Sequence, residues 1–294
     1  MNGINKLGLG TAQWGLPYGL ANQHGITSPE TVTALLNEAR HHGIEILDTA
    51  SLYGKSEAVL GSNPLEGFKV VTKTPKFVTC HISDIEVYQL NETFQQSLNL
   101  LRCKTIYGLL IHHAEDILVS GGDKLLTAMM QLKDKGLVEK IGVSVYDSIQ
   151  VDAVMKKFTP DLIQLPFSVM DQRMLTSGHL ELLKNEGVEI HVRSVFLQGL
   201  LLMPLEKIPA FFEPVRSLLT RWHAAAQQQG LTVNQAALSF VKNVPYIDTV
   251  LVGLDNLAQL RSCFDDYAMK INFDATGLAC NDTIFVNPSL WQLK

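Results

Sequence analysis

Cysteine is scarce in this chain of 294 residues, at four, and tryptophan scarcer, at three. Cys80, Cys103, Cys263 and Cys280 form no CxxC pair and have no second ligand at metal spacing. A disulfide framework and a thiolate metal centre are thereby excluded, and buried thiols in a reducing compartment are expected. Positive charge is short as well: 24 Lys and Arg stand against 29 Asp and Glu, a formal net charge of -5. The basic residues are scattered, and Lys156-Lys157 is too short for a patch, so no nucleic-acid partner is expected. No window approaches the roughly 18 apolar residues that a spanning helix needs. The segment MNGINKLGLGTAQWG has no apolar stretch of signal-peptide length. No membrane association and a cytoplasmic setting are therefore expected. The usual dinucleotide fingerprint is missing too. GLGTAQWG is not GxGxxG, and no acid follows at a strand end about 20 residues on.

Apolar residues make up 46% of the chain and charged residues 18%, ample for a large core. They are punctuated regularly: a helical stretch, a Gly-containing or polar turn, a short β-rich run, a polar loop. The spacing predicts strands over Lys6–Leu9, Ile44–Leu47, Phe68–Thr72, Ile106–Ile111, Lys140–Val143, Leu162–Leu165, Glu189–Val192 and Thr249–Val252. Ser28 is expected to cap a helix with Pro29 in its first turn and Gly43 at its stop. Further helices are predicted, among them one from about Val87 to Leu101 and one near Leu175–Asn185. Eight βα units suggest a (β/α)8 TIM barrel, one domain over 1–294, with a longer insertion after strand seven at about 199–213. Strand count alone fits an open doubly wound sheet equally well, because both bury parallel strands on both faces. No heptad or symmetric apolar stripe assigns an oligomeric state, so monomer and homo-oligomer both stand.

In such a barrel the active site lies at the carboxyl ends of the strands. Asp48 and Tyr53 follow the second strand, Lys73 the third and His112 the fourth. Together they suit proton delivery to a carbonyl. A free tyrosine, with a pKa of about 10, is a poor acid or base at neutral pH. A nearby ammonium favours the phenolate, an aspartate orients the lysine, and a histidine donor grips the substrate oxygen. Each residue alone also has a plain structural reading: a cap, a solvated lysine, a packed tyrosine, a core histidine. Their joint occurrence at three consecutive strand ends favours a site. The competing chemistry is a metal-dependent hydrolase built on His112, His113, Asp48 and Asp116. It lacks an HxH on the first strand, and Gln164, Ser194 and Val252 at later strand ends are weak ligands, so no metal is expected.

These segments resemble the aldo-keto reductase family. GLGTAQWG is similar to its opening strand, DTASLYGKSE to its Asp-Thr-Ala…Tyr-Gly…Ser-Glu segment, VVTKT to its lysine strand and LLIHH to its histidine strand. The similarity continues through IGVSVYD, LIQLPFSVMDQR, VRSVFLQGLLL and VLVGLDNLAQL. The resemblance implies an enzyme that reduces an aldehyde or ketone, or runs the reverse, with NAD(H) or NADP(H) extended across the barrel mouth. Tyr53 would be the general acid, Asp48 and Lys73 would tune it, and His112 would position the carbonyl. Ser144 and Gln164 match the residues that hold the nicotinamide amide, and Val145 stands where the family usually has Asn. Arg193 stands where many members stack an aromatic ring. Ser194, Leu197, Gln198 and Gly199 match the pyrophosphate loop, and Gly253 and Gln259 the strand-eight side of the cofactor pocket. Members that prefer the 2′-phosphorylated cofactor often carry cations there. Here Asp255, Gln259, Ser262 and Cys263 offer none, and Arg261 is the only cation nearby.

For the substrate, a small carbonyl or alcohol of sugar type or simpler, Trp14, Tyr18, His24, Phe77, His113 and Phe196 are the expected contacts. The family also resembles the β subunits of voltage-gated potassium channels. A cofactor-binding regulatory or sensor protein with little turnover is therefore the alternative reading.

Overall fold

The computed structural model describes residues 6–293. Short runs rich in Val, Ile and Leu form parallel strands β1 (Leu7–Gly10), β2 (Ile46–Asp48), β3 (Lys69–Lys73), β4 (Ile106–Ile111), β5 (Val138–Ser144), β6 (Leu162–Pro166), β7 (Glu189–Arg193) and β8 (Thr249–Gly253). They pair in sequence order, and β8 returns to β1, with Leu7 opposite Val250 and Gly10 opposite Gly253. That closure decides for the barrel over the open sheet. Inside it, Val71, Leu110 and Leu162 pack from β3, β4 and β6. Outside, α1 (Pro29–His41), α2 (Ser56–Gly61), α3 (Asp84–Leu101), α4 (Glu115–Leu118), α5 (Asp123–Asp134) and α6 (Ser148–Met155) cover the first half. The rest is covered by α7 (Arg173–Thr176), α8 (His179–Asn185), α9 (Arg216–Gln228), α10 (Val233–Lys242) and α11 (Leu257–Ala268), with α12 (Thr283–Val286) near the end.

Local chemistry sets the boundaries. The Ser28 hydroxyl accepts the Thr31 N–H at 3.2 Å, with Pro29 in the first turn of α1. The helix buries Val32, Leu35, Leu36 and Ala39. Strand β2 starts two residues later than the sequence suggests because the Ile44 N–H closes the end of α1, donating to the Ala39 carbonyl at 2.9 Å. Helix α3 starts three residues earlier than expected, at a capping box made by Ser83 and Glu86. The helix expected over 175–185 is two helices, broken at Gly178, which adopts φ +78°.

The insertion after β7 winds through 3-10 turns at Leu197–Leu202, Leu205–Lys207 and Ala210–Val215. Phe212 is fully buried there and meets Trp291 edge-on, with ring centroids 4.9 Å apart. A second apolar cluster thus forms beside the barrel, joining the insertion, α9, α10 and the segment around α12. Among the described residues no helix is long and apolar enough to cross a membrane.

Candidate active site

Asp48 ends β2, Lys73 ends β3 and His112 follows β4, so strand pairing brings all three to one mouth of the barrel. Lys73 is 2% exposed, and its ammonium donates to both Asp48 oxygens and to the Thr49 carbonyl, each at 2.8 Å. All three of its protons are committed. Burial pulls the Lys73 pKa down, and Asp48 opposes that pull. The ammonium lies 5.0 Å from the centroid of the Tyr53 ring.

Tyr53 reaches this point through a turn between β2 and α2 that is seated by a backbone contact. A Cβ on Gly15 would stand 1.8 Å from the Tyr53 carbonyl oxygen, and one on Gly54 would stand 2.3 Å from the Gly15 oxygen. Only glycine fits at either place, and Gly54 also adopts φ +56°. The Ser-Glu end of DTASLYGKSE locks the turn from below. Ser56 Oγ donates to Thr11, and the Glu57 carboxylate accepts from Thr72 at 2.6 Å and Ser97 at 3.1 Å.

Burial raises the Tyr53 pKa above that of an ordinary phenol, and the Asp48 charge adds to the rise. The sequence reading gave the counteracting charge to Lys73. In the fold Asp48 matches the Lys73 charge, and the cation acting on Tyr53 is Arg193. His112 meets Tyr53 edge-on at 5.9 Å between centroids. Burial, then the charges of Lys73, His113 and Arg193, push its pKa down to about 2. It is a neutral imidazole at working pH, with one donor and one acceptor. Its Nδ1 is buried without a partner. Strand β4 ends at Ile111, and just beyond it the His112 and His113 rings stack with centroids 4.9 Å apart.

Gln164, fully buried on β6, donates its amide to Asp48 Oδ1 at 2.7 Å. A carboxylate only accepts, so the orientation of the Gln164 amide is fixed. Its Oε1 is left buried and unpartnered. Ser144 is its register partner at the end of β5 and is also buried. Arg193 ends β7 with its guanidinium 4.4 Å from the centroid of the Tyr146 ring and one N–H on the Val145 carbonyl at 3.2 Å. Among the described residues it has no carboxylate partner.

A cavity of about 730 Å³ opens at Asp48 and Tyr53 and runs past Arg193 and Ser194, then Gln198 and Gly199, to Asp255, Gln259 and Asp266. Its wall after β7 holds an unusual backbone. Ser194, Leu197 and Gln198 have φ of +62°, +46° and +54°, left-handed conformations that non-glycine residues adopt at a cost. Gly253, at the end of the neighbouring strand β8, also lines the cavity, and a Cβ there would come within 2.2 Å of Gln13 Nε2.

Several expected contacts are corrected. Trp14 is 1% exposed in the main core, donates to the Leu254 carbonyl at 3.4 Å and is not among the residues lining the cavity. Phe77 is 6% exposed in the same core, its N–H on Asp116. The Leu197 side chain is fully buried in the second cluster, leaving only its backbone for the loop. His24 is exposed off the cavity wall, and its charge acts on Asp255. Tyr18 and Phe196 do line the cavity, and Tyr18 Oη accepts from Gln198 at 3.3 Å. Gln259 lines it too, with its carbonyl taken by the Asp255 N–H. The four candidate metal ligands make no ligand set, since Asp48 is bound to Lys73 and Gln164, and Asp116 to Phe77. Among the described residues no group of three or more His, Cys, Asp or Glu could hold an ion. Gly15, Gly54 and Glu57 sit in the quoted motifs without an assigned role in the sequence reading. Tyr146, in the quoted IGVSVYD segment, likewise had no assigned role, and Asp266 carried no sequence signal at all.

The sequence profile of the Aldo/keto reductase family matches residues 6–277. This chain belongs to that family. It is an NAD(P)H-dependent oxidoreductase of carbonyl and alcohol groups. It is 24% identical over 276 residues to the uncharacterised oxidoreductase YqkF of Bacillus subtilis (strain 168), covering 88% of this chain and 85% of the relative. It is 23% identical over 310 aligned residues to the NADH-specific methylglyoxal reductase of Escherichia coli (strain K12), with 93% of each chain covered. Among solved structures, aldo-keto reductase AKR11C1 from Bacillus halodurans superposes with TM-score 0.72 at 18% identity, covering 93% of this chain and 89% of the other. The glycerol dehydrogenase AKR11B4 of Gluconobacter oxydans gives 0.69 at 19%, covering 92% and 88%. These two likenesses speak for the fold.

Proposed function

We propose that this enzyme reduces an aldehyde or ketone to the alcohol, or runs the reverse, with Tyr53 transferring the proton. The observation that carries the reading is the buried Asp48–Lys73 pair, bonded at 2.8 Å beneath Tyr53, with a neutral His112 across from it. Tyr53 Oη gives its proton to the substrate oxygen in reduction and takes it back in oxidation. His112 donates its one N–H to the same oxygen and fixes its angle. Lys73 and Asp48 form the bonded floor beneath the ring, and Arg193 supplies the positive charge that favours the phenolate as charge develops on the phenol oxygen.

The residues fit a nicotinamide dinucleotide on two counts. The unpartnered Gln164 Oε1 is an acceptor awaiting an amide N–H, with Ser144 beside it. The left-handed turn at Ser194, Leu197, Gln198 and Gly199 lays backbone along the cavity wall as a cradle for phosphate. Bound there, the cofactor would supply the hydride, and the chain supplies position and electrostatics. Arg193 would lie against the nicotinamide or the adjoining phosphates. Among the described residues the rest of the wall carries acids and no second cation, so NAD(H) is the better fit.

Tyr18, Phe196 and His113 are the proposed substrate contacts, and a small or sugar-type carbonyl is the proposed class. Methylglyoxal and glycerol, named for the two relatives, belong in the first panel. The four cysteines are free thiols, which suits the proposed cytoplasmic setting. The test is Tyr53→Phe: turnover should fall by about 10²-fold or more while cofactor affinity holds. Equal turnover in that variant would sink the mechanism. Tight cofactor binding by the wild type with no turnover across a broad carbonyl panel would instead indicate a sensor.

A further inference from the structure

We infer that Asp255 selects the unphosphorylated cofactor by accepting a hydroxyl of the adenosine ribose and repelling a 2′-phosphate. The inference rests on the nicotinamide reading above and names the residue that discriminates. Asp48, Gly10 and Gly253 are successive register partners on β2, β1 and β8. Gly253, two residues before Asp255, therefore lies about two strand spacings from Asp48, roughly 10 Å around the mouth. With the nicotinamide beside Tyr53 and Gln164, a dinucleotide extended along the cavity carries its adenosine half past Asp255.

Asp255 is on the cavity wall, and its Oδ1 is buried without a hydrogen-bond partner. The carboxylate is not needed to start α11. Asn256 does that, accepting the Gln259 N–H at 3.0 Å, while the Gln259 side chain holds the Asp255 N–H at 2.7 Å. The turn is fixed by its neighbours, and the Asp255 acceptor is left over. A carboxylate in that position takes a hydroxyl proton in a charge-assisted bond. The same chemistry reads the ribose 2′-hydroxyl in dinucleotide folds of another class.

The charges around it exclude a phosphate. Asp266 lines the same end, with its oxygens taken by Asn234 at 2.5 Å and Gln235 at 3.0 Å, so it adds negative charge without a free acceptor. Arg261, the cation closest in sequence, is turned outward. It grips Glu38 on α1 through Nε at 2.7 Å and Nη2 at 3.2 Å and is off the cavity wall. The one wall cation among the described residues, Arg193, is stacked on Tyr146 and acts on Tyr53 and His112. A 2′-phosphate dianion would meet two carboxylates and, among the described residues, no lysine or arginine on the cavity wall at that end.

The experiment is a binding titration of the full chain with NADH and with NADPH, read by nicotinamide fluorescence. Displacement by 5′-AMP and by adenosine 2′,5′-bisphosphate gives a second readout that needs no turnover. The wild type should bind NADH at least about tenfold tighter than NADPH, the scale of one charge-assisted hydrogen bond gained against none. Asp255→Asn, nearly the same shape, should collapse that ratio towards one, and Asp255→Arg should invert it. Arg261→Ala should leave the ratio unchanged. An unchanged ratio in Asp255→Asn, or equal binding of the two cofactors by the wild type, would overturn the assignment while leaving the reductase reading intact. Binding of neither cofactor would overturn both.

Discussion

Arg193 acts on both Tyr53 and His112, the two groups proposed to meet the substrate oxygen. Its positive charge opposes the rise of the Tyr53 pKa and helps hold His112 neutral. Arg193→Gln removes a cation that stabilises the phenolate, so the Tyr53 pKa should move further up. Alcohol oxidation needs the phenolate as base. At saturating cofactor, the pH at which kcat for oxidation reaches half its plateau should therefore move to higher pH in the variant. A profile that stays put or moves down would remove Arg193 from this role. Asp48, Tyr53, Lys73 and His112 stand out in the sequence because carbonyl chemistry demands those residue types at strand ends, and the fold brings the four together. The charge on Tyr53 was not legible in the same way. Which cation remains uncompensated depends on the Lys73–Asp48 pair, and only three-dimensional distance reveals that. Trp14 and Phe77 show the same limit: an aromatic residue in a loop near the mouth can face the ligand or the core, and its identity does not choose.

At the scale of elements, the loop from β2 to α2 matters more than its length suggests, because it carries Tyr53. It is seated by backbone against backbone at Gly15 and Gly54, with almost no room to give. Gly15→Ala would place a methyl group 1.8 Å from the Tyr53 carbonyl oxygen, so the loop must shift. A displacement near 1 Å at a reacting group is worth about 10² in rate. We expect kcat to fall by about that factor while cofactor affinity, which the proposed contacts on β6 to β8 would set, changes little. Retained kcat would show that Tyr53 is placed by something else. DTASLYGKSE made this element visible in the sequence. Its Gly and Ser-Glu positions read as family pattern until the close contact and the buried Glu57 network gave them physical work. The element ends were less legible. Ile44 looks like strand but serves the end of α1, and Gly178 splits what periodicity joins.

Barrel closure is a property of the whole molecule, and eight apolar runs leave it undecided, because parallel strands buried on both faces read alike in open and closed sheets. Only the pairing of β8 with β1 decides it. The second apolar cluster, around Phe212, Trp222 and Phe285, raises a further question: whether the insertion and the last segment fold with the barrel or separately. Phe196 and Phe240 pack against both clusters, and the Cys280 N–H reaches the Met170 carbonyl at 2.8 Å. We propose that these shared contacts make one domain of the chain. Proteins of this size often unfold through intermediates, so the claim has content. Trp14 lies in the barrel core, while Trp222 and Trp291 report on the second cluster. In Trp14→Phe, indole fluorescence follows the second cluster alone, and far-ultraviolet circular dichroism follows the whole chain. If the two are one unit, both signals will show the same midpoint in guanidinium chloride. Earlier loss of fluorescence would mean that the second cluster melts alone, taking the left-handed turn at Ser194–Gly199 with it. Cofactor affinity would then disappear at denaturant concentrations where the barrel still stands.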